Sequence, residues 1–137
     1  MNPQKNKGDK AEREVAALLS ELTGKTVRRK LGAGRTNSAG GDTGDIEGLP
    51  NWAVQVCDWK DKSAACLQKP VEAEDQRENL GVDHAATFVR FRGGRYRVVL
   101  TPDQFARILF QIAGKSNTLI VFLCWSLIQK RRNKKPP

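Results

Sequence analysis

The sequence predicts an α/β fold in which a mixed β-sheet is flanked by helices, with the element order αβββαββα. Two observations support this prediction. Apolar residues recur at helical spacing near both ends of the chain, and short β-prone runs separated by turn residues lie between them. Because helices are interleaved with groups of strands, the strands are expected to form one sheet that carries helices on its faces.

The first predicted element is a helix over residues 9–22, which ends at Gly24. A short basic strand is expected over residues 26–31. The stretch from Gly32 to Gly44 is rich in glycine and small polar residues, which predicts a loop. The apolar face of the helix consists of residues at helical spacing, namely Ala11, Val15, Leu18, Leu19 and Leu22.

A β-hairpin is predicted next, with strands over residues 45–47 and 52–58 and a turn at residues 49–51. A three-residue connection sets an antiparallel register in which Asp45 lies opposite Gln55. These two side chains are therefore expected to be neighbours on one face of the sheet.

The second helix is predicted over residues 63–80, which are charged and rich in alanine, and it ends at Gly81. Pro70 lies within this stretch. Because proline has no backbone N–H to donate, we expect Pro70 near the start of the helix or at a break between two helices.

A second hairpin is predicted from strands over residues 85–92 and 96–100, joined by the glycine pair at 93–94. The last helix begins at Thr101, whose side chain can cap it, and Pro102 fits the first turn. Its apolar face consists of Phe105, Ile108, Leu109 and Ile112.

We expect one α/β domain over residues 1–114, because 137 residues suffice for one hydrophobic core but not for two ordinary ones. Residues 115–137 would form an apolar segment and a basic tail outside this domain. The apolar run at residues 118–128 is much shorter than the roughly 20 residues of a membrane-spanning helix, so no transmembrane span is expected.

The charge of the chain indicates a polyanionic partner. Lysine and arginine total 24 against 15 aspartate and glutamate residues, a formal charge of +9, which favours nucleic acid. The three cysteines include no C-x-x-C pair, so the sequence predicts neither a disulfide framework nor a structural zinc site. The first residues lack the apolar core of a secretory signal, and we expect a cytoplasmic location.

The first hairpin carries residues suited to binding a divalent cation. Gln55 and Cys57 share one face of the second strand, whereas Val54 and Val56 point to the other. A carboxylate oxygen of Asp45 and the amide oxygen of Gln55 could bind Mg²⁺, which takes few protein ligands and keeps several waters. Such an ion can activate water and neutralise charge on a scissile phosphate.

Three segments resemble the PD-(D/E)XK nucleases: Lys7-Gly8-Asp9-Lys10-Ala11-Glu12-Arg13-Glu14, Gly44-Asp45-Ile46, and the strand Val54-Gln55-Val56-Cys57. Within that superfamily the chain is most similar to the archaeal-type Holliday junction resolvases and their phage-encoded relatives, over roughly residues 5 to 110. The resemblance implies a restriction-endonuclease-like sheet and a metal-dependent endonuclease that hydrolyses branched DNA in recombination or phage genome processing. It also implies a homodimer, because junction resolvases cut two strands symmetrically.

The resemblance also implies roles for individual residues. Glu12 corresponds to the family's helical acidic residue and Asp45 to its principal metal-binding aspartate. Gln55 and Cys57 fall where the family usually carries Glu and Lys. Glu12, Asp45 and Gln55 are thus the implied ligands for Mg²⁺ or Mn²⁺.

A cation must come from elsewhere, because Cys57 cannot supply the fixed positive charge that assists phosphodiester hydrolysis. The candidates are Arg29 and Lys30 on the basic strand, and Lys60 and Lys62 just past the third strand. The predicted catalytic set includes Lys60 together with the three implied metal ligands.

Residues 58–60 satisfy the D-X-K pattern literally. Alternation along the strand would direct Asp58 and Lys60 to the face of Val54 and Val56, away from Gln55. A shifted register or a bulge would be needed to bring them into the site.

Basic residues along the chain are candidates for contacts with DNA phosphates. The alternative to a nuclease is a non-catalytic DNA-binding protein that keeps the nuclease scaffold. The predicted DNA-binding residues are Lys7, Arg28, Arg29, Lys30, Arg35, Arg92 and Arg95.

Overall fold

The computed structural model describes residues 3–31, 41–114 and 125–128. The chain forms two compact units, Met1–Gln104 and Phe105–Pro137. Arg35 and residues 118–124 of the predicted apolar segment lie outside the described ranges. The predicted domain boundary after residue 114 stays a prediction.

The predicted element order, αβββαββα, is found. A short 3₁₀ turn at Arg92–Gly94 joins the last two strands. The helices and strands are α1 (Pro3–Thr23), β1 (Arg28–Arg29), β2 (Ile46–Glu47), β3 (Trp52–Cys57), α2 (Lys62–Leu80), β4 (His84–Phe91), β5 (Arg95–Val99) and α3 (Pro102–Gly114).

The five strands form one mixed sheet in the order β1-β2-β3-β4-β5. Neighbouring strands are antiparallel except β3 and β4, which are parallel and are connected through α2. This confirms an α/β fold with a mixed sheet flanked by helices. The β2–β3 pairing sets Ile46 against Val54, and Asp45, which precedes β2, donates its N–H to the Val54 carbonyl oxygen. The pairing of Asp45 with Gln55 stays a prediction.

Alternate residues of β3 face different cores. Val54 packs with Val15 of α1 and Phe88 of β4 in one hydrophobic cluster. On the opposite face, Cys57 packs with Ala65 of α2 and with Val89 of β4. The period of two along the strand thus separates the α1 side of the sheet from the α2 side.

The expectation for Pro70 is wrong. It lies well inside α2, and the helix is continuous through it. Pro70 is buried, as are Ala65 and Ala73 of the same helix, and its carbonyl oxygen accepts a hydrogen bond from Gln104 Nε2 at 2.9 Å. Burial of this part of α2 is the physical reason that the helix continues through a residue that cannot donate a backbone hydrogen bond.

Two other helix boundaries follow the sequence signals. Gly81 ends α2 in the left-handed conformation, with its N–H bonded to the Arg77 and Glu78 carbonyls. At the start of α3, Thr101 Oγ1 accepts from Gln104 N, while Gln104 Oε1 accepts from Thr101 N. None of the helices in the described ranges has both the length and the apolar character that a membrane crossing requires.

Gly48, just after β2, approaches the neighbouring backbone closely. Its φ is +100°, and a Cβ added there would lie 2.3 Å from the Thr26 carbonyl oxygen. Gly81 also has a positive φ, but nothing lies within 4 Å of a Cβ added to it. The two glycines therefore separate the cost of the backbone conformation from the cost of a steric clash.

We predict that Gly48→Ala lowers the free energy of unfolding by about 2–3 kcal/mol, against about 1 kcal/mol for Gly81→Ala. Only the first substitution adds a backbone clash to the unfavourable φ. Urea denaturation of the two variants measures the difference. Equal losses would contradict the close approach of Gly48 to Thr26.

Candidate active site

A pocket of about 750 Å³ opens where β3 ends. It lies between the first half of α1, the residues leading into β2, and the first half of α2. All of its lining belongs to the unit that ends at Gln104. The lining residues are Lys7, Gly8, Glu12, Asp42, Asp45, Gln55, Val56, Cys57, Asp58, Trp59, Lys60, Asp61, Lys69 and Glu72.

Asp45 is positioned by the approach of its backbone to β3. Gly44 has φ +93°, and a Cβ added to it would lie 3.0 Å from the Val54 carbonyl oxygen, so glycine allows this approach. Asp45 N donates to that oxygen at 2.8 Å. The Asp45 side chain then continues the strand pairing, because its Oδ2 accepts from Val56 N at 2.7 Å.

The surroundings of Asp45 favour its protonated form. Burial raises the pKa of its carboxyl from 3.8 to about 6, and the negative charges of Glu12 and Asp42 contribute to the rise. The Val56 N–H and the charge of Lys69 act in the opposite direction. A cation placed beside this carboxylate would relieve the unfavourable ionisation.

Gln55 lies beside Asp45 and is only 6% exposed. Its Nε2 donates to Glu72 Oε2 on α2 at 3.1 Å. Its Oε1 is buried and has no hydrogen-bond partner among the described residues. A buried carbonyl oxygen without a donor is costly, and a bound cation or a water molecule would satisfy it.

Glu12 also lines the pocket, but its carboxylate is paired. Its Oε2 accepts a hydrogen bond from Arg29 Nε, and the other end of the same guanidinium donates to Asp9. The Glu12 side chain is only 14% exposed. The structure thus brings Glu12, Asp45 and Gln55 to one pocket, with Arg29 held against the first of them.

Two charged residues of the pocket, the carboxylate Glu72 and the cation Lys69, are not among the site residues predicted from the sequence. Both lie on α2 one turn apart, form an ion pair with each other, and line the pocket. Lys69 Nζ also lies 4.7 Å from the centre of the Trp59 ring. Their i, i+3 spacing was visible in the sequence, but it indicates only that they share a helix face.

Asp58 and Lys60 line the pocket, although alternation along the strand predicts that they point to the other face of the sheet. The reason is that β3 ends at Cys57, so the alternation of the strand no longer applies to the residues that follow. Lys60 is exposed. Asp58 pairs with Lys62 at 3.2 Å and lies 3.8 Å from Arg90.

Cys57 lies in the same lining but is 3% exposed. Burial raises the pKa of its thiol, so the neutral form is favoured. Cys57 therefore offers the pocket neither a positive charge nor a thiolate.

The predicted DNA-binding residues are scattered. Lys7 is exposed at the pocket. Lys30 Nζ donates to Thr43 Oγ1, next to the residues that lead into β2. Three other predicted DNA-binding residues are exposed outside the pocket: Arg28 on β1, and Arg92 and Arg95 at the turn between β4 and β5.

Carboxylate, imidazole and thiol groups do not cluster in threes suitable for a metal ion anywhere in the described ranges. A cation at the pocket would therefore need the amide oxygen of Gln55 or water among its ligands, which is compatible with Mg²⁺.

No protein family, curated protein or solved structure matches this chain. The function is therefore inferred from the residues of the pocket and from their chemistry.

We predict that Asp45→Asn stabilises the protein at neutral pH. The folded-state pKa of Asp45 lies above its ordinary value, so its contribution to stability is fully present below about pH 4 and is lost as the pH rises through about 6. Asparagine does not ionise and avoids this loss. Near pH 8 the variant should be more stable by about 2 kcal/mol, and the difference should vanish near pH 4.

Urea denaturation across this pH range measures the effect, and Asp75→Asn, an exposed aspartate on α2, is the control. A stability difference that does not change with pH would show that ionisation of Asp45 is not the cause.

Proposed function

We propose that this protein is a divalent-metal-dependent DNA endonuclease, similar to Holliday junction resolvases, that hydrolyses phosphodiester bonds in branched DNA. The observation that carries the proposal is the meeting of Asp45, Gln55 and Glu12 in one pocket. These residues come from separate segments, and the sequence resemblance implied a shared site for them.

The residues present fit a hydrated Mg²⁺ or Mn²⁺. Asp45 offers a carboxylate whose ionisation a cation would favour, and Gln55 offers a buried oxygen that has no donor in the described part of the chain. Glu12 would contribute negative charge close by. When bound, the metal would activate water and neutralise charge on the scissile phosphate.

The protein's own residues would prepare the pocket for this chemistry. The Val56 N–H holds one oxygen of Asp45, which leaves the other oxygen to face a ligand. Glu72 holds the amide nitrogen of Gln55, which fixes the orientation of its carbonyl oxygen. Such fixed orientations reduce the reorganisation needed when a metal and a phosphate bind.

DNA as the substrate is supported by the formal charge of +9 and by exposed arginines such as Arg92 and Arg95. Branched DNA, homodimer formation and a cytoplasmic location also belong to the proposal. The first two come from the sequence resemblance.

A second candidate is a DNA-binding protein that has lost catalysis. It is favoured by one observation in particular, the salt bridge from Arg29 to Glu12, which neutralises a predicted metal ligand. Gln55 also carries no negative charge, which lowers the affinity expected for a metal ion.

We predict that the purified protein cuts a four-way DNA junction in the presence of Mg²⁺ or Mn²⁺, and that Asp45→Ala abolishes cleavage. Losing the principal metal-binding carboxylate should slow the reaction by at least about 100-fold. Denaturing gel electrophoresis of end-labelled junction and linear duplex measures the products.

Asp75→Ala is the matched control, because Asp75 is an exposed aspartate of α2 outside the pocket lining. Cleavage that survives Asp45→Ala would point to a contaminating nuclease. Salt-sensitive binding of the junction without cleavage in either metal would favour the second candidate.

We predict that the double variant Arg92→Ala and Arg95→Ala weakens DNA binding and makes it less dependent on salt. Each lost phosphate contact should reduce the slope of log affinity against log salt concentration by about 0.9. Fluorescence anisotropy between about 50 and 200 mM salt measures this slope. Lys25→Ala, an exposed lysine just after the end of α1, controls for simple loss of charge. An unchanged slope in the double variant would exclude both arginines from the interface.

A further inference from the structure

Strand β3 lacks two charged side chains that metal-dependent phosphodiester hydrolysis uses, an acidic metal ligand and a cation. Strand β3 presents a neutral amide at Gln55, where a second acidic ligand would strengthen metal binding. It presents a buried thiol at Cys57, where a cation would stabilise the charge that develops in the transition state. Both charges would therefore have to come from other elements that line the pocket.

Lys69 is the pocket lysine whose position is best defined. Among the described residues, lysines 7, 60 and 69 line the pocket, and the first two are exposed. The Lys69 side chain is only 17% exposed and is held between the Trp59 ring and the Glu72 carboxylate. Its positive charge partly opposes the rise in the pKa of Asp45 and of Cys57 that burial causes, so Lys69 lies within electrostatic range of both groups.

Glu72 is the carboxylate that lies beside Gln55 and could supply the negative charge that Gln55 lacks. Gln55 Nε2 donates to Glu72 Oε2 at 3.1 Å, so the amide of β3 and the carboxylate of α2 occupy neighbouring positions. The Glu72 side chain is 45% exposed, which leaves it accessible to a ligand in the pocket. The carboxylate also lies next to the buried amide whose oxygen has no donor in the described ranges.

We infer that α2 supplies both charges that β3 lacks: Lys69 acts as the catalytic cation and Glu72 as an acidic ligand of the metal. This inference rests on the proposed nuclease function and assigns two of its catalytic residues. On binding of a metal, Glu72 would exchange its ion pair with Lys69 for the metal, and the freed ammonium group would face the phosphate. Hydrolysis would form a bond from a water oxygen to phosphorus and break the bond from phosphorus to the leaving oxygen. The attacking water would release a proton to solvent, and the leaving oxygen would take a proton from solvent.

Removing Lys69 separates its catalytic role from a structural one. We expect Lys69→Met to slow single-turnover cleavage of the junction by about 100-fold or more. The same variant should bind Mn²⁺ in isothermal titration calorimetry at least as tightly as the parent protein, because Glu72 loses a competing cation. Lys69→Arg tests whether positive charge alone suffices, and Lys25→Met controls for loss of a lysine elsewhere.

Moving the cation back to the strand gives a sharper test. Adding Cys57→Lys to Lys69→Met should restore at least about 10-fold of the lost rate, because both positions line the same pocket. If this variant does not fold, as judged by circular dichroism, the metal affinity and cleavage rate of Lys69→Met still decide. Loss of cleavage in Lys60→Met with full activity in Lys69→Met would overturn the assignment of the cation.

Glu72 can be tested by exchanging it with its hydrogen-bond partner. Glu72→Gln should weaken Mn²⁺ binding by about 10-fold and slow cleavage. The double variant Gln55→Glu with Glu72→Gln keeps the net charge and an amide-to-carboxylate hydrogen bond, so it should regain metal binding and cleavage. Glu78→Gln, an exposed glutamate on the same helix, is the matched control.

The possible outcomes distinguish this inference from the proposed function. If the parent protein binds Mn²⁺ but cuts no DNA, the nuclease function and the role of Lys69 fail, while weaker Mn²⁺ binding by Glu72→Gln would still support the metal ligand. If the parent protein cuts DNA and Glu72→Gln leaves both Mn²⁺ affinity and cleavage unchanged, the function stands and the assignment of Glu72 is overturned.

Discussion

The candidate site depends on the antiparallel pairing of β2 with β3. The pairing sets Ile46 against Val54, and the close approach of Gly44 to the Val54 carbonyl lets the chain enter β2 alongside β3. Asp45 then bonds to β3 through both its backbone N–H and its side chain. A register shift of one residue would turn Gln55 to the α1 side of the sheet and remove it from the pocket.

The electrostatics of the pocket make Asp45 different from the carboxylates around it. Glu12 is paired with a guanidinium, Glu72 with an ammonium group, and Asp42 Oδ2 accepts from the Gln76 amide at 2.8 Å. Asp45 instead accepts from a backbone N–H, and burial together with neighbouring negative charge raises its pKa to about 6. Such a carboxylate gains more from a cation than its neighbours do, because they already have partners.

The parts of this structure that could be predicted from sequence are those set by local rules. Gly81 marks a helix end because it tolerates a positive φ, and Thr101 marks a helix start because its hydroxyl caps the first turn. Alternation along β3 and the short turn before it were enough to place Asp45 and Gln55 near each other, and both line the pocket. Each of these inferences needed only residues that are close in the sequence.

The parts that were missed depend on long-range packing. Pro70 is buried inside a continuous helix, and its carbonyl oxygen accepts a hydrogen bond from Gln104, far along the chain. The pairing of Arg29 with Glu12 requires β1 and α1 to lie side by side, and no sequence spacing indicates it. The position of Lys69 in the pocket also depends on packing, because burial of small residues such as Ala65 and Ala73 decides which face of α2 is turned toward β3.

The path of the chain from β3 through α2 to β4 explains how a charged side chain of the site could be carried by the helix instead of the strand. Parallel pairing of β3 with β4 requires a crossover, and the helix of that crossover covers the face of the sheet that carries Gln55 and Cys57. Side chains from the strand and from the covering helix therefore enter the same space, as the contact between Gln55 and Glu72 shows. A charge needed in that space can come from either element, so a neutral residue on β3 does not by itself imply a neutral site.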